Sequence, residues 1–380
     1  MEHLEIRPEM LQWAIRRSRC KTEDLVTIFP KLPEWTAGAS YPTLKQLEAF
    51  AKETNTPIGY FFLTQPLEEI IPIPDYRRII TTRGQLPSPD LLETIYLCQQ
   101  RQEWFRDFAR SVGMSPLPFV GKIKLNENVV HTAAEVRHTL GMDLEERKTI
   151  STWTDALRRF IEQADALGIL VMISGVVGSN TRRKLDPDEF RGFSLSDDLA
   201  PLVFINGADT KAAQMFTLAH EIAHIWLGSS ALSDAEPSET PSNKIELWCD
   251  KMAAELLVPL EVVRKEYNKN NPLFDEMNRL AKCFKVSTLV ILRRIHDAGG
   301  LNRKQMWDAY QDELQRLREI PRGTGGNFYS TETARVSKRF AQALITSTLE
   351  GQTLYRDAFH LLCFSKLETF QNLGQRVGVF

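Results

Sequence analysis

The stretch Gln214–Met215–Phe216–Thr217–Leu218–Ala219–His220–Glu221–Ile222–Ala223–His224 constrains this chain more than any other. It sets His-Glu-x-x-His inside an apolar run of helical pattern. On a helix, His220 and His224 lie one turn apart and project from one face, so both imidazoles can reach one metal ion. Glu221, one position on, can reach a water at that ion. Two neutral nitrogen ligands, an open coordination position and a carboxylate that takes a proton from water are the working parts of a zinc peptidase.

Catalytic zinc takes three protein ligands. The segment Glu246–Leu247–Trp248–Cys249–Asp250–Lys251–Met252–Ala253–Ala254–Glu255–Leu256–Leu257–Val258–Pro259 supplies a candidate third. Its apolar residues Leu247, Cys249, Met252, Ala253, Leu256 and Leu257 recur at helical spacing. Glu246 and Asp250, four apart, share the opposite edge. Glu246 can complete the ligand set, and Asp250 can accept the free ring N–H of a ligating histidine and fix its tautomer. An isolated pair of carboxylates at this spacing is ordinarily a solvated surface feature. A position 22 residues after His224, on a helix able to pack beside the first, favours the ligand role. Between the two helices, Ser229–Ser242, rich in Ser, Glu and Pro, reads as an exposed loop.

The run FTLAHEIAHIWLG, followed by ExxxD and MAAELLVP, resembles the ImmA/IrrE family of zinc metallopeptidases. That resemblance implies His220, His224 and Glu246 as zinc ligands and Glu221 as catalytic base. The chain departs from the family pattern at Cys249, where Ala is usual, at Asp250, where Asn is usual, and at Met252, where Phe is usual. Asp keeps an acceptor and Met keeps bulk. Cys249 reads as a small buried thiol, with a redox sensor beside the metal as the alternative. The resemblance also places Arg191–Gly192–Phe193–Ser194 near a strand edge that pairs with substrate, which makes Arg191 a candidate substrate contact.

With 380 residues, of which 43% are hydrophobic, two or three domains with real cores are expected. No apolar run reaches about 18 residues, and no basic-then-apolar leader resembles a signal peptide, so no membrane association is expected. The five cysteines are scattered and odd in number, which points to reduced thiols and a cytoplasmic setting. A formal net charge of −2 predicts no strong bulk attraction to nucleic acid.

The expected architecture is α+β and mostly helical, in four regions. Residues 1–66 read as a helical unit: Pro8 to Arg19, Glu23–Phe29 capped by Thr22, Leu44–Glu53 capped by Thr43, and an apolar turn over Pro57–Leu63. The pattern Met10–Leu11–x–Trp13–Ala14, Glu23–Asp24–Leu25, Trp35–Thr36–Ala37–Gly38 and Leu47–x–x–Phe50–Ala51 is similar to XRE-type helix-turn-helix domains. The residues argue against DNA reading. Pro30 and Pro33 stand where a recognition helix should run. Eight Lys or Arg are balanced by eight Asp or Glu over residues 1–66, whereas a dedicated DNA binder shows a basic face. Contact with protein or dimerisation is the favoured role, and DNA binding is expected to be weak.

Residues 67–87 read as a Pro-rich linker. Residues 88–265 form the peptidase-like domain, with helices over Pro89–Arg110, Ala133–Leu140 and Thr154–Leu167. Strands follow over Ile169–Val177, Phe190–Leu195 and Leu202–Ile205, then the two ligand helices. The strand just before the His-Glu-x-x-His helix is the expected edge for an added peptide strand. Residues 266–380 read as helical, with amphipathic stretches over Phe274–Phe284, Ser287–Ala298, Arg303–Arg318 and Ser337–Leu349. Gly325–Gly326–Asn327–Phe328–Tyr329 resembles a turn found in relatives.

Two functions follow. One is a zinc endopeptidase that regulates by cutting a protein partner such as a repressor. The other is a DNA-binding or protein-binding regulator, for instance the antitoxin of a toxin pair, on a peptidase-like fold. An intact Glu221 favours the first.

Overall fold

The structure, a computed structural model of the 380-residue chain, describes residues 3–76, 87–233, 243–319 and 334–380. Its internal contacts divide it into two units, one of Met1–Pro72 with Ile79–Tyr96, the other of Ile73–Arg78 with Leu97–Phe380. The expected turn at Gly325–Tyr329 and parts of the expected linker and inter-helix loop lie outside the described residues.

The first unit holds four helices, α1 (Pro8–Ser18), α2 (Thr22–Ile28), α3 (Leu32–Thr36) and α4 (Leu44–Glu53), and a 3-10 turn over Ile58–Phe62. Pro8, with its fixed φ, opens α1. Thr43 caps α4 in a reciprocal box: the Gln46 N–H donates to its hydroxyl, and its own N–H donates to Gln46 Oε1 at 2.9 Å. Thr22, expected as a cap, lies inside α2, whose cap position is Lys21 with no side-chain bond. Met10, Trp13, Leu25, Trp35, Phe50 and Phe61 pack the core, while Phe62 is exposed. With Pro33 in its first turn, α3 ends after five residues. Arg17, part of the basic run Arg16–Lys21, is buried. It donates to both Glu69 oxygens at 2.5 and 2.8 Å and to the Asn55 carbonyl at 2.8 Å. A guanidinium held this way is not available for phosphate.

The helix α5 (Pro89–Ser111) has residues in both units. In the second unit follow α6 (Val129–Leu140), α7 (Leu144–Thr149) and α8 (Trp153–Leu167). Next come β1 (Leu170–Ser174), β2 (Val176–Val177), β3 (Asn180–Lys184), β4 (Gly192–Leu195) and β5 (Leu202–Asn206). The chain continues through α9 (Lys211–Leu227), β6 (Ala231–Ser233), α10 (Lys244–Leu257), α11 (Leu260–Glu266), α12 (Leu273–Phe284), α13 (Thr288–Asp297) and α14 (Arg303–Glu319). It ends with α15 (Lys338–Leu349), α16 (Tyr355–Leu362) and α17 (Leu367–Val377). Among the described residues no helix is long and apolar enough to cross a membrane. The fold is mostly helical around a small mixed sheet, consistent with the expected α+β class.

The sheet order is β1-β5-β4-β6, with β1 and β5 parallel and β4 antiparallel to both its neighbours. Three expectations change here. The strand expected over Ile169–Val177 breaks at Gly175, and its end pairs with β3, a polar and mostly exposed segment without the apolar alternation that marks a strand. The strand before α9 is not an edge, because β5 is paired on both sides. The stretch expected to be an exposed loop, Ser229–Ser242, contains the buried strand β6, whose three residues are too short to show a period.

Every residue from Gln214 to Trp226 of α9 is buried, the signature of a helix packed on all sides. Thr210 caps its start, accepting from the Ala213 N–H, and Gly228, at φ +69°, ends it in the left-handed region. On the sheet side only glycine fits at 192. A Cβ there would stand 2.5 Å from Thr217 Cγ2 and 2.8 Å from the Phe204 oxygen, so Gly192 lets β4 settle onto α9.

Helix α10 is anchored at its C-terminal end by three arginines. Arg137 donates to the Glu255 carbonyl at 2.6 Å, Arg147 to the Leu257 carbonyl at 3.0 Å and Arg294 to the Val258 carbonyl at 2.8 Å. These carbonyls have no partner further along the helix, and the positive charges complement its negative end. Arg294 also pairs with the Glu255 side chain, and both are buried. Arg294→Ala would strand a buried carboxylate and should cost about 3–5 kcal/mol. Urea unfolding reads this directly, and a loss below about 1 kcal/mol would show that the pair does not hold α10 in place.

Candidate metal centre

α9 delivers His220, Glu221 and His224 to one side, and α10, capped by Asn243, delivers Glu246 from its first turn. The ring nitrogens and the carboxylate converge. His220 Nε2 lies 3.2 Å from His224 Nε2, His220 Nε2 is 3.3 Å from Glu246 Oε2, and His224 Nε2 is 3.0 Å from Glu246 Oε1. Among the described residues these three form the cluster of His, Cys, Asp or Glu able to hold an ion. Ligands about 2.0–2.1 Å from a tetrahedral zinc stand about 3.3 Å from one another, so the triangle has the dimensions of three corners of such a site.

The chemistry of the donor set fits a cation as well. All three side chains are removed from water. Both Glu221 oxygens are buried with no hydrogen bond, a costly state for a carboxylate unless positive charge stands near it. Asp250 Oδ1 lies 3.0 Å from His220 Nδ1, where it can hold the ring with Nε2 facing the cluster.

The charges follow the same logic. Burial drives His220 down, but Glu246 and Asp250 outweigh it and hold His220 well above the ordinary imidazole value. For His224 burial wins, and its pKa is lowered. Burial opposes ionisation of Glu246, yet the two histidines overcome it and keep Glu246 below the usual carboxylate range. Glu221 is pushed up to about 8, chiefly by burial. Cys249 is fully buried, and burial together with the nearby carboxylates holds its thiol well above its usual value. It therefore stays protonated and unreactive, in keeping with a small buried thiol.

Arg191 stands just before β4. Its guanidinium is 3.6 Å from Asp209 Oδ2, and its backbone bonds the Ser233 carbonyl and the Asn206 N–H. Its visible partner is thus an acidic side chain of the same unit. The other histidines of this unit lie apart from the cluster: His296 Nδ1 is 2.9 Å from the Leu301 oxygen, His360 Nε2 is 3.1 Å from Gln100 Oε1, and His131 and His138 are exposed.

Three features were not legible beforehand. Ser194 of β4 and Ser233 of β6, both buried, act on the Glu221 carboxylate and oppose its rise. Tyr76 stacks on His224, with ring centroids 6.3 Å apart and planes 19° from parallel. The signal available was slight: Ser194 lies in an apolar strand, Ser233 in a stretch read as loop, and Tyr76 in a stretch read as linker.

Only neutral imidazole ligates, so protons compete with metal. With His220 raised, that competition begins above the ordinary value of about 6.5. Zinc affinity should therefore fall by about tenfold per pH unit for each proton displaced as pH drops, with the fall already under way above about 6.5. His220→Ala, His224→Ala and Glu246→Ala should each lose the metal. Competition with a chromophoric chelator measures both, and a pH-independent affinity would rule out His220 as a ligand.

Comparison with known proteins points the same way. Residues 164–296 match the family described as the IrrE N-terminal-like domain, a span that contains the whole cluster. Residues 336–376 match a domain of unknown function, DUF8813. Over 91 residues the chain is 36% identical to the radiation response metalloprotease IrrE of Deinococcus radiodurans, an alignment covering 23% of this chain and 28% of that protein. Residues 164–296 are thus similar to the IrrE N-terminal-like domain, and the His–His–Glu cluster lies within that span.

Proposed function

We propose that this chain is a zinc-dependent endopeptidase that regulates by cutting a protein partner such as a repressor. The observation that carries the reading is the pair of buried, unpartnered Glu221 oxygens beside the His220–His224–Glu246 cluster. A carboxylate kept dry at such a place is what a general base needs.

Zinc, when bound by His220, His224 and Glu246, supplies Lewis-acid polarisation of a peptide carbonyl and lowers the pKa of a water. The remaining work belongs to the chain. Glu221 takes the proton of the attacking water and passes it to the leaving amine. His220 pulls the raised Glu221 pKa back down, so positive charge in the cluster favours the ionised base. Ser194 and Ser233 bear on the same carboxylate and favour its charged form. Asp250 holds the His220 ring. The scattered free cysteines favour a cytoplasmic setting for this reading.

The alternative is a regulator that binds DNA or protein through a peptidase-like fold without cutting. A single substitution separates the two. Glu221→Gln is outside the ligand set and should keep the metal while abolishing cleavage of casein and of any repressor encoded beside this chain. Cleavage that persists at the wild-type rate in Glu221→Gln, or its absence from metal-loaded wild type on both substrates, would favour the binder.

A further inference from the structure

β6 is the outer strand of the sheet, and one of its edges pairs with β4. The other is occupied by the chain's own residues. The Leu232 N–H donates to the Pro74 carbonyl at 2.9 Å, and the Tyr76 N–H donates to the Leu232 carbonyl at 3.0 Å. Asp75 is bridged to Leu232 in the parallel sense. Ile73 is buried, Pro74 and Asp75 are exposed, and the half-buried Tyr76 lays its ring against His224. The segment is thus a short added strand whose last side chain rests on a residue of the metal cluster.

Three observations make this edge the place for a peptide. Its outward main-chain donor and acceptor at Leu232 pair with an extended segment, the way an extended peptide adds to a sheet. It adjoins the reacting centre, since Ser233, next to Leu232, acts on Glu221, and Gly192, opposite Ser233, would bring a Cβ within 3.4 Å of Glu221 Oε1. Its present occupant is itself an extended peptide, whose contacts include two backbone bonds to Leu232, the buried Ile73 and a ring contact with His224. Backbone bonds of this kind contribute modestly each, so a tether can keep such a segment in place while a competing strand can displace it.

We propose that the outer edge of β6 is the docking edge for an extended peptide substrate, and that Ile73–Tyr76 is a tethered strap that must leave Leu232 before a substrate strand can pair there. The strap also gives the sense and the preference: a substrate runs parallel to β6 and places a large aromatic side chain where Tyr76 lies. The strap's consequence for catalysis rests on the peptidase reading, whereas its seat on β6 does not.

The test uses the full chain, zinc-loaded, with Glu221→Gln so that nothing is cut, and reads amide hydrogen exchange at Leu232. Ile73→Ser combined with Tyr76→Ala should raise exchange at Leu232 by about tenfold while the α9 amides stay protected. A synthetic peptide copying Ile71–Tyr76 should restore the protection, and the same peptide with Ala in place of its Tyr should not. Unchanged exchange at Leu232, or no protection by the peptide, overturns the proposal. If the double variant also loses α9 protection, Tyr76→Pro removes the donor and the ring while leaving Ile73 in place, and takes the same readout. Loss of α9 protection in both variants would show a structural element rather than a displaceable strap. A failed peptidase reading looks different: cleavage independent of Glu221, or protein that holds no zinc, with the exchange at Leu232 untouched.

Discussion

Two imidazoles and a carboxylate, all removed from water, face one another across 3.0–3.3 Å, and everything around them serves to make that arrangement tolerable. Without positive charge among them, Glu246 and Glu221 would be dehydrated anions a short distance apart, a state that ordinarily costs several kcal/mol. A divalent cation resolves the conflict, because it is the partner that all these groups share. The raised His220 and the lowered Glu246 report the same demand in terms of protons: in the absence of metal, His220 tends to hold the positive charge itself.

The fold meets that demand by fixing two helices against each other. α9 is enclosed along its length, and Gly192 lets the sheet approach until β4 meets Glu221. α10 is fastened at the far end from Glu246, where Arg137, Arg147 and Arg294 take its terminal carbonyls. Arg147 is buried deeply enough that its pKa falls to about 10, a cost accepted at a helix terminus whose dipole favours the charge. The ligand in the first turn of α10 is thereby set by interactions three turns away.

The parts that were legible in the sequence are those whose chemistry needs a fixed local spacing. His220 and His224 are one turn apart on any helix, and Glu246 with Asp250 repeats that spacing on the next, so both the cluster and the Asp250 contact to His220 could be anticipated. The cap at Thr43, a residue with a strong side-chain preference there, also read correctly. What stayed hidden depends on pairing between distant segments. β6 is too short to carry a pattern, β3 is polar, and the place of β5 inside the sheet follows from partners that local sequence does not name. Ser194, Ser233 and Tyr76 reach the site only through those pairings. Arg17 looked like one of a solvated basic run because nothing nearby in sequence announces Glu69 as its partner.

Zinc K-edge X-ray absorption of the zinc-loaded chain tests the centre most directly, since it reads the coordination shell itself. A first shell made only of nitrogen and oxygen at about 2.0–2.1 Å, with outer-shell scattering from two imidazoles, is the result expected of His220, His224 and Glu246. A sulfur shell at about 2.3 Å, as from Cys249, or scattering from a single imidazole, would contradict the His–His–Glu centre on which the proposed function depends.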